Sequence, residues 1–264
     1  MARLSSVRTR AVLVTGAVLA LAASATACAS AGDDADPDRR DFTLTGHTLT
    51  VDSDDSALEI VASEAHRAGT VRVTRWFDGS VVAGKEPEVT WSMKGDRLVL
   101  RTRCSGVFAD CDARHRIEVP RGVAVAVRED DGSVRASGFR DALSIRTADG
   151  SVRVTDSSGP LDLRSDDGSV RADVDSRRVS ARSADGSVRL DLGAVPDRVD
   201  SVTDDGSVTI TLPRAPYRVA ADSGDGSVDV SVDRDEGSSH RVSARSGDGS
   251  VTVRNADGNR TDGN

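Results

Sequence analysis

The sequence places an acid and a hydroxyl side by side many times, in the tetrapeptide Asp-Gly-Ser-Val. An aspartate beside a serine is a pair that nucleophilic catalysis can use, because a neighbouring base can activate the hydroxyl. An active site needs one such pair, whereas this tetrapeptide recurs in seven near-regular copies. The recurrence favours a structural role. It predicts seven equivalent corners of a repeat architecture, at Asp131, Asp149, Asp167, Asp185, Asp205, Asp225 and Asp248.

The residues around each corner follow the pattern of half-buried strands. The copies lie 18, 18, 18, 20, 20 and 23 residues apart. Apolar residues alternate on both sides of a corner, as with Leu143 and Ile145 before Asp149 and Val152 and Val154 after it. A hydroxyl stands two residues before most of the aspartates, at Thr147, Ser165, Ser183, Thr203, Ser223 and Ser246. Glu129 takes this place in the first repeat.

Two all-β architectures fit this pattern. The first is a parallel β-solenoid, similar to a β-helix, with coils of 18–20 residues. The alternative is an antiparallel β meander, in which Asp-Gly forms hairpin turns because it tolerates positive φ. Near-identical corners favour the solenoid, since each corner would stack on an equivalent corner. An eighth copy at Asp78 is out of phase and predicts a local hairpin turn.

Stacked aspartates repel one another, by about 1 kcal/mol per adjacent pair even in water. Arginine columns on both sides of the corners are expected to balance them, at Arg135, Arg153, Arg171 and Arg189 and at Arg146, Arg164 and Arg182. The later repeats lack these arginines, which makes a bound cation more plausible there. Asp225 and Asp248 are therefore weak Ca²⁺ candidates, although turn formation is the favoured role, and we predict no other metal or cofactor.

The N-terminus has the layout of a secretory signal. Arg3, Arg8 and Arg10 precede a short apolar run from 11 to 23, and Ala25-Thr26-Ala27 precedes Cys28. The run is short for a membrane span, which needs about 20 residues. A cysteine at this place resembles the lipobox of bacterial lipoproteins, in which it is acylated. An ordinary cleavage that leaves a free thiol remains an alternative.

These features predict five segments. They are a signal peptide (1–27), a tether (28–41), an N-terminal β region (42–122), the solenoid (123–254) and a disordered tail (255–264). If Cys28 carries lipid, Cys104 and Cys111 remain as one pair, and an exported protein allows them to form a disulfide. The expected location is the outer face of the cytoplasmic membrane, with a lipid anchor in the bilayer.

Composition and motifs disfavour several classes of function. A net charge of −8 disfavours nucleic acid, and an aromatic content of 3% leaves few platforms for stacking on sugars. No Gly-x-Ser-x-Gly elbow occurs. The histidines are unpaired in sequence and are predicted to be surface or loop residues, at His47, His66, His115 and His240. Trp91 is expected in the core, whereas Trp76-Phe77 is either core or an exposed loop tip.

The sequence resembles bacterial DUF4097 proteins in three features: the leader, a cysteine pair before the Ile117–Pro120 strand, and the serial Gly-Ser-Val strands. The leader is similar to those of actinobacterial proteins. Members are often described as adhesins. The resemblance implies an extended β-solenoid-like fold and supplies no catalytic residues. We therefore predict a non-enzymatic surface protein that serves in binding, adhesion or envelope structure. Its expected partners are the membrane, through the lipid, and an unidentified protein or glycan. The alternative is an enzyme that acts on envelope polysaccharide through carboxylates on the solenoid face.

Overall fold

The computed structural model of the protein describes residues 36–64 and 69–256, and every regular element in these ranges is a β-strand. The signal peptide, Cys28, His66 and the tail beyond residue 256 lie outside the described residues. The described part contains no helix with the length and apolarity that a membrane span requires. The strands are β1 (Asp38–Thr43), β2 (Thr48–Ser53), β3 (Ala57–Ser63), β4 (Thr70–Lys94), β5 (Arg97–Pro120), β6 (Ala124–Glu129), β7 (Val134–Ser137), β8 (Leu143–Thr147), β9 (Val152–Thr155), β10 (Leu161–Ser165), β11 (Val170–Val174), β12 (Arg178–Ser183), β13 (Val188–Leu192), β14 (Arg198–Thr203), β15 (Val208–Leu212), β16 (Arg218–Ser223), β17 (Val228–Ser231), β18 (Arg241–Ser246) and β19 (Val251–Asn255).

Each repeat contributes one strand to each of two parallel faces. The first face holds the strands before the corners (β2, β6, β8, β10, β12, β14, β18 and β16), and the second holds those after them (β3, β7, β9, β11, β13, β15, β19 and β17). Equivalent residues pair in register, as Leu161 does with Leu143 on one side and Val179 on the other. The parallel pairing confirms the solenoid and excludes the meander.

The core lies between the two faces and consists of small and medium aliphatic side chains. Residues that alternate inward along each strand are fully buried, such as Leu163 on the first face and Val170 and Leu190 on the second. The intervening residues point to solvent, so each strand is half-buried, as the alternation predicts. Burial of this apolar surface in consecutive coils is the main stabilising contribution.

The coils do not stack in the order of the chain. Strand β18 pairs with β14 on one side and β16 on the other, through Val242, which lies between Val199 and Val219. The last repeat is therefore an interior coil, and the sixth repeat (β16 and β17) forms the end of the solenoid. The connection from Ser231 to Arg241 is long enough to lead the chain back over that end. The spacing of 23 residues before Asp248 is the sequence signal of this step.

Cysteine pairs provide a test of this order. Ser243 lies opposite both Asp200 and Ala220, which are separated from each other by one strand. We expect Asp200→Cys with Ser243→Cys to form a disulfide upon mild oxidation, because Cα atoms of adjacent strands fall within disulfide range. The matched pair Asp200→Cys with Ala220→Cys is expected to stay reduced, as measured by mass spectrometry. Efficient cross-linking of the second pair would contradict the inserted coil.

The N-terminal β region continues and caps the solenoid. Strands β2 and β3 form a coil of their own, and β5 pairs parallel with the outer side of both. Strand β4 then runs antiparallel to β5, and β1 runs antiparallel to β4. Phe42 and Trp91 meet edge to face, with centroids 6.2 Å apart, so Trp91 packs against the core as expected. Because β1 starts at Asp38, the segment before the fold is shorter than the predicted tether (28–41).

One local expectation for this region was wrong, and one alternative that the sequence left open is decided by the structure. Asp78-Gly79 is not a hairpin turn, because Asp78 lies within β4 and pairs with Asp112 of β5. Trp76 and Phe77 are likewise half-buried strand residues and not a loop tip. The turn that joins β4 to β5 is at Gly95, whose φ of 58° lies in the left-handed region. Pairing along most of both long strands outweighs the local turn propensity of Asp-Gly.

Candidate binding surface

An in-register column of arginines crosses the outer side of the second face. Arg135, Arg153, Arg171 and Arg189 pair side by side on β7, β9, β11 and β13. All four side chains are exposed. At the strand spacing of about 4.8 Å, the column places four guanidinium groups along about 14 Å. We call it the arginine column.

Most of the arginine column has no acidic partner. Among the described residues, Arg135, Arg153 and Arg171 form no salt bridge, while Arg189 pairs with Asp191 at 3.1 Å. Glu59 lies next to Arg135 in register, but it pairs with Arg114 at 3.0 Å and Arg116 at 2.6 Å. Three adjacent cations are thus available to an anionic ligand.

The arginine column borders a cleft in the protein surface. A surface cleft of about 180 Å³ is lined by Arg135 and Arg153 together with Glu59, Ser137 and Thr155. The exposed serines of the corners, such as Ser151, lie two residues before each arginine. Guanidinium groups flanked by hydroxyls offer charge-assisted hydrogen bonds to carboxylate or phosphate oxygens.

The other predicted column, on the first face, is partly neutralised. Arg128, Arg146, Arg164 and Arg182 are in register on β6, β8, β10 and β12. Asp162 lies between two of them, 3.6 Å from Arg146 and 3.3 Å from Arg164. Within the residues that the structure describes, the first face therefore has no run of three consecutive unpaired arginines like that of the second face.

The predicted corner aspartates lie on an edge of their own. All seven are exposed, and the structure stacks them in the coil order given above, with Asp225 next to Asp248 at the end. In the described part of the chain, none of the seven carboxylates forms a salt bridge, so the arginine columns do not pair directly with the corner aspartates. The strands separate the two charges, since the arginine follows its aspartate by four residues. Solvent exposure keeps the repulsion between corners small.

The buried hydroxyls before the corners tie neighbouring coils together. The Ser183 hydroxyl accepts a hydrogen bond from Gly186 N–H (3.1 Å) and donates one to the Gly168 carbonyl of the preceding coil (2.8 Å). Thr203 makes the equivalent two bonds. The same arrangement recurs at Ser165, Ser246 and Ser223. These side chains are thus structural and not nucleophilic.

Removal of one of these hydroxyls tests their role. We expect Ser183→Ala to lower the free energy of unfolding by about 2 kcal/mol, because it leaves a buried N–H and a buried carbonyl without a partner. Ser183→Thr is the matched control and should stay within about 1 kcal/mol, since threonine serves at position 203. Urea denaturation measures both. An alanine variant as stable as the wild type would refute the proposal that these hydroxyls tie neighbouring coils together.

The two weak Ca²⁺ candidates, Asp225 and Asp248, lie on adjacent corners. Their backbones are joined by a hydrogen bond of 2.9 Å from Asp225 N–H to the Gly247 carbonyl. Among the residues that the structure describes, no group of three or more metal-ligating side chains is present. Ca²⁺ binding at these corners therefore stays a prediction, which an increase in melting temperature in millimolar Ca²⁺ would support.

A disulfide-closed projection from the cap was not foreseen. Cys104 and Cys111 form the predicted disulfide, with Cα atoms 6.2 Å apart, although an extended strand would separate them by about 23 Å. Strand β5 therefore doubles back, and β4 follows it through pairs such as Val82 with Phe108. We call the segments Gly79–Lys85 and Ser105–Cys111 the tongue. The available sequence signal was the run of serine, glycine and apolar residues from Ser105 to Ala109, between the two cysteines.

Two ionisable groups are buried in the interior, and one of them was predicted at the surface. His115 is fully buried in β5, which corrects its predicted surface position, and burial lowers its pKa to about 4. Glu129 replaces the corner hydroxyl of the first repeat and accepts hydrogen bonds from Ser56 N–H and Gly132 N–H, both at 3.1 Å. Burial raises the pKa of Glu129 to about 7. Both lie in the interior, away from the exposed arginines.

A known protein structure resembles this fold. A solved structure described as a candidate adhesin from Bacteroides fragilis NCTC 9343 aligns with a TM-score of 0.50 and 13% identity, covering 84% of this chain and 98% of that one. A candidate cell adhesion protein from Clostridium sporogenes ATCC 15579 aligns with a TM-score of 0.36 and 12% identity, over 84% and 100%. No curated protein sequence matches the chain. The family model Toastrack DUF4097 matches residues 121–261, which is more than half of the chain, and the protein therefore belongs to the DUF4097 Toastrack family.

Proposed function

We propose that this protein is an exported, lipid-anchored and non-catalytic binding module that holds a linear anionic glycan of the cell envelope on its arginine column. The observation that carries the proposal is the row of three exposed arginines on one parallel sheet, Arg135, Arg153 and Arg171, which have no salt-bridge partner among the described residues. Repeated cations at one spacing suit a polymer with repeated anions better than a small ligand with a single charge.

The net charge of −8 is compatible with this ligand because electrostatic forces are short-ranged in salt. The Debye length is about 8 Å at physiological ionic strength, so an anion at the column responds mainly to the nearest guanidinium groups. The corner carboxylates lie on another edge of the solenoid. The overall negative charge then opposes loose, non-specific adsorption, while the column provides local attraction.

The proposed location has three supports. The disulfide between Cys104 and Cys111 is typical of exported proteins. Cys28 follows a secretory leader at the position where lipoproteins are acylated. The adhesin descriptions of structurally similar proteins agree with a binding role outside the cytoplasm. The acylation of Cys28 is directly testable by mass spectrometry of the protein from membranes.

A matched pair of double variants tests the binding surface. We expect Arg153→Gln with Arg171→Gln to weaken binding to polygalacturonate about tenfold, since two charge-assisted contacts are lost. Arg146→Gln with Arg164→Gln removes the same charge from the first face, where both arginines contact Asp162. That control should change the affinity by less than about twofold. Equal losses in both variants would mean that net charge, and not the arginine column, governs binding.

The rival function, an enzyme acting on envelope polysaccharide, makes a different prediction. A hydrolase should shorten the polymer over time, whereas a binding module should leave its length unchanged. Size analysis of the polygalacturonate and of isolated envelope glycans after incubation separates the two. Turnover that is lost upon substitution of a single carboxylate would overturn the proposed function.

A further inference from the structure

The tip of the tongue carries most of the exposed large apolar surface in the described part of the chain. Val82, Val107 and Phe108 are 61%, 71% and 74% exposed, and Val228 at the other end of the solenoid is 45% exposed. Val82 and Phe108 face each other in register, next to Val107. Such side chains are costly in water when clustered, and a cluster of this kind is typical of a contact surface.

The local structure of the tongue keeps these side chains exposed to solvent. Val81 fills the space over Gly106, where a Cβ atom would overlap its Cγ1. Ala83 has a φ of 53°, which makes the tip a tight turn. The disulfide fixes the base by joining Cys104 to Cys111. The apolar tip is thus preorganised and does not fold back on the solenoid.

Charges are absent from the tip except for one cation. The segments 80–85 and 105–109 contain no acid, and Lys85 is their one charged residue. Acids begin at the base of the tongue, at Asp78, Glu86 and Asp110. An apolar tip whose one charged residue is a lysine suits the interface of a bilayer that carries anionic lipids, and the acids limit the depth of insertion to the tip.

The N-terminal chain enters the fold beside the tongue. Strand β1 runs antiparallel to β4 with Asp38 opposite Arg75, and the Arg75 guanidinium contacts the Asp38 carboxylate at 2.5 Å. Before Asp38 the chain therefore leads toward the base of the tongue, which begins four residues after Arg75. Cys28 lies ten positions before Asp38, so a lipid on Cys28 keeps this entry within about 35 Å of the membrane. The tongue itself extends about 13 Å from Gly79 to its tip.

We propose that the tip of the tongue, with Val82, Val107 and Phe108, inserts into the headgroup region of the membrane to which Cys28 is anchored. This second contact rests on the proposed lipid anchor and adds to it, because stable attachment usually takes more than one signal. It orients the solenoid, with the cap at the membrane and the last coils away from it.

Tryptophan reporters at the two ends of the solenoid test the insertion. Cys28 is the one cysteine of the mature chain outside the disulfide, so a maleimide lipid can be coupled to it directly. The experiment thereby does not depend on acylation in cells. Phe108→Trp reports on the tongue, and Val228→Trp is the matched control at an exposed apolar site of β17. Both variants are bound to phosphatidylglycerol–phosphatidylcholine vesicles, with and without brominated lipid.

We expect the added tryptophan at position 108 to shift its emission to the blue and to be quenched by brominated lipid, while that at position 228 does neither. Both changes are measured relative to the wild type, which supplies the background of Trp76 and Trp91. An unquenched tryptophan at 108 on vesicle-bound protein would overturn the proposal, as would equal quenching at both sites. A failure to find acylated Cys28 in cells would refute the anchor alone.

Discussion

Gly168→Ala is expected to lower the free energy of unfolding by about 3 kcal/mol, because the added methyl group has no room at this corner. A Cβ atom at Gly168 would overlap the backbone carbonyl of Gly150 in the neighbouring coil. That backbone cannot move away easily, because Asp167 N–H is bonded to the Ala148 carbonyl at 3.0 Å and Gly168 N–H to the Ser165 hydroxyl at 2.9 Å. Urea denaturation of the mature protein measures the loss.

The neighbouring aspartate supplies the control. Asp167 is exposed, and its carboxylate forms no salt bridge among the described residues. Asp167→Ala should therefore change stability by less than about 0.5 kcal/mol. If Gly168→Ala were as stable as Asp167→Ala, the close stacking of corners would be contradicted.

Glu129→Gln is expected to make the protein more stable at pH 8 by about 3 kcal/mol, relative to the wild type, than it does at pH 4. The pKa of Glu129 is raised to about 7 in the folded state, from 4.5, mainly by burial. The folded state therefore binds a proton more tightly than the unfolded state, and the wild type loses stability as the pH rises from about 4.5 to 7. A glutamine stays neutral and can still accept from Ser56 N–H and Gly132 N–H.

His115 acts in the opposite direction and must be included in the comparison. Its pKa is lowered to about 4, from 6.5, by burial and by the Arg75 charge. This group makes the folded state gain stability as the pH rises from about 4 to 6.5. The two effects offset each other in the wild type, so Glu129→Gln should reveal a stability that rises with pH.

Denaturation curves at several pH values measure this difference. Glu64→Gln is the control, because Glu64 is an exposed carboxylate that contacts Arg121 at the surface. Its pH profile should follow that of the wild type. A Glu129→Gln profile that runs parallel to the wild type would mean that Glu129 is ionised at no cost in its buried position.

The repeat architecture could be predicted because the same sequence pattern recurs in every repeat. Alternation such as Leu143 and Ile145 before a corner and Val152 and Val154 after it defines two half-buried strands, and near-identical corners imply stacking. The role of glycine was less visible. In a meander, glycine at the corners would be needed for its positive φ. In this solenoid it is needed because the backbones of adjacent coils approach closely and leave no room for a Cβ atom.

Features that depend on contacts between distant segments could not be predicted. The insertion of β18 between β14 and β16 leaves only an irregular spacing of 23 residues as a signal. The strand pairing around Asp78 overrides a local Asp-Gly turn signal for the same reason. Glu129 did show in the sequence as a break in the hydroxyl column, and its position marks the junction of the cap coil with the first repeat.

The candidate site was visible in part. The arginines at positions 135, 153, 171 and 189 could be predicted to form a column from their equal offsets, but their partners could not. The structure separates them from the corner aspartates and leaves three of them unpaired within its described residues. A column expected to neutralise the corners thus becomes a surface available to an external anion.

The affinity for galacturonate oligomers of increasing length tests this account most directly. If the arginine column is the binding surface, the affinity should rise with oligomer length until the chain spans Arg135 to Arg189, and then level off. The rise should be smaller in Arg153→Gln with Arg171→Gln and at high salt. A length-independent affinity, or a length dependence unchanged by this double variant, would contradict the central claim that the stacked arginines hold a linear polyanion.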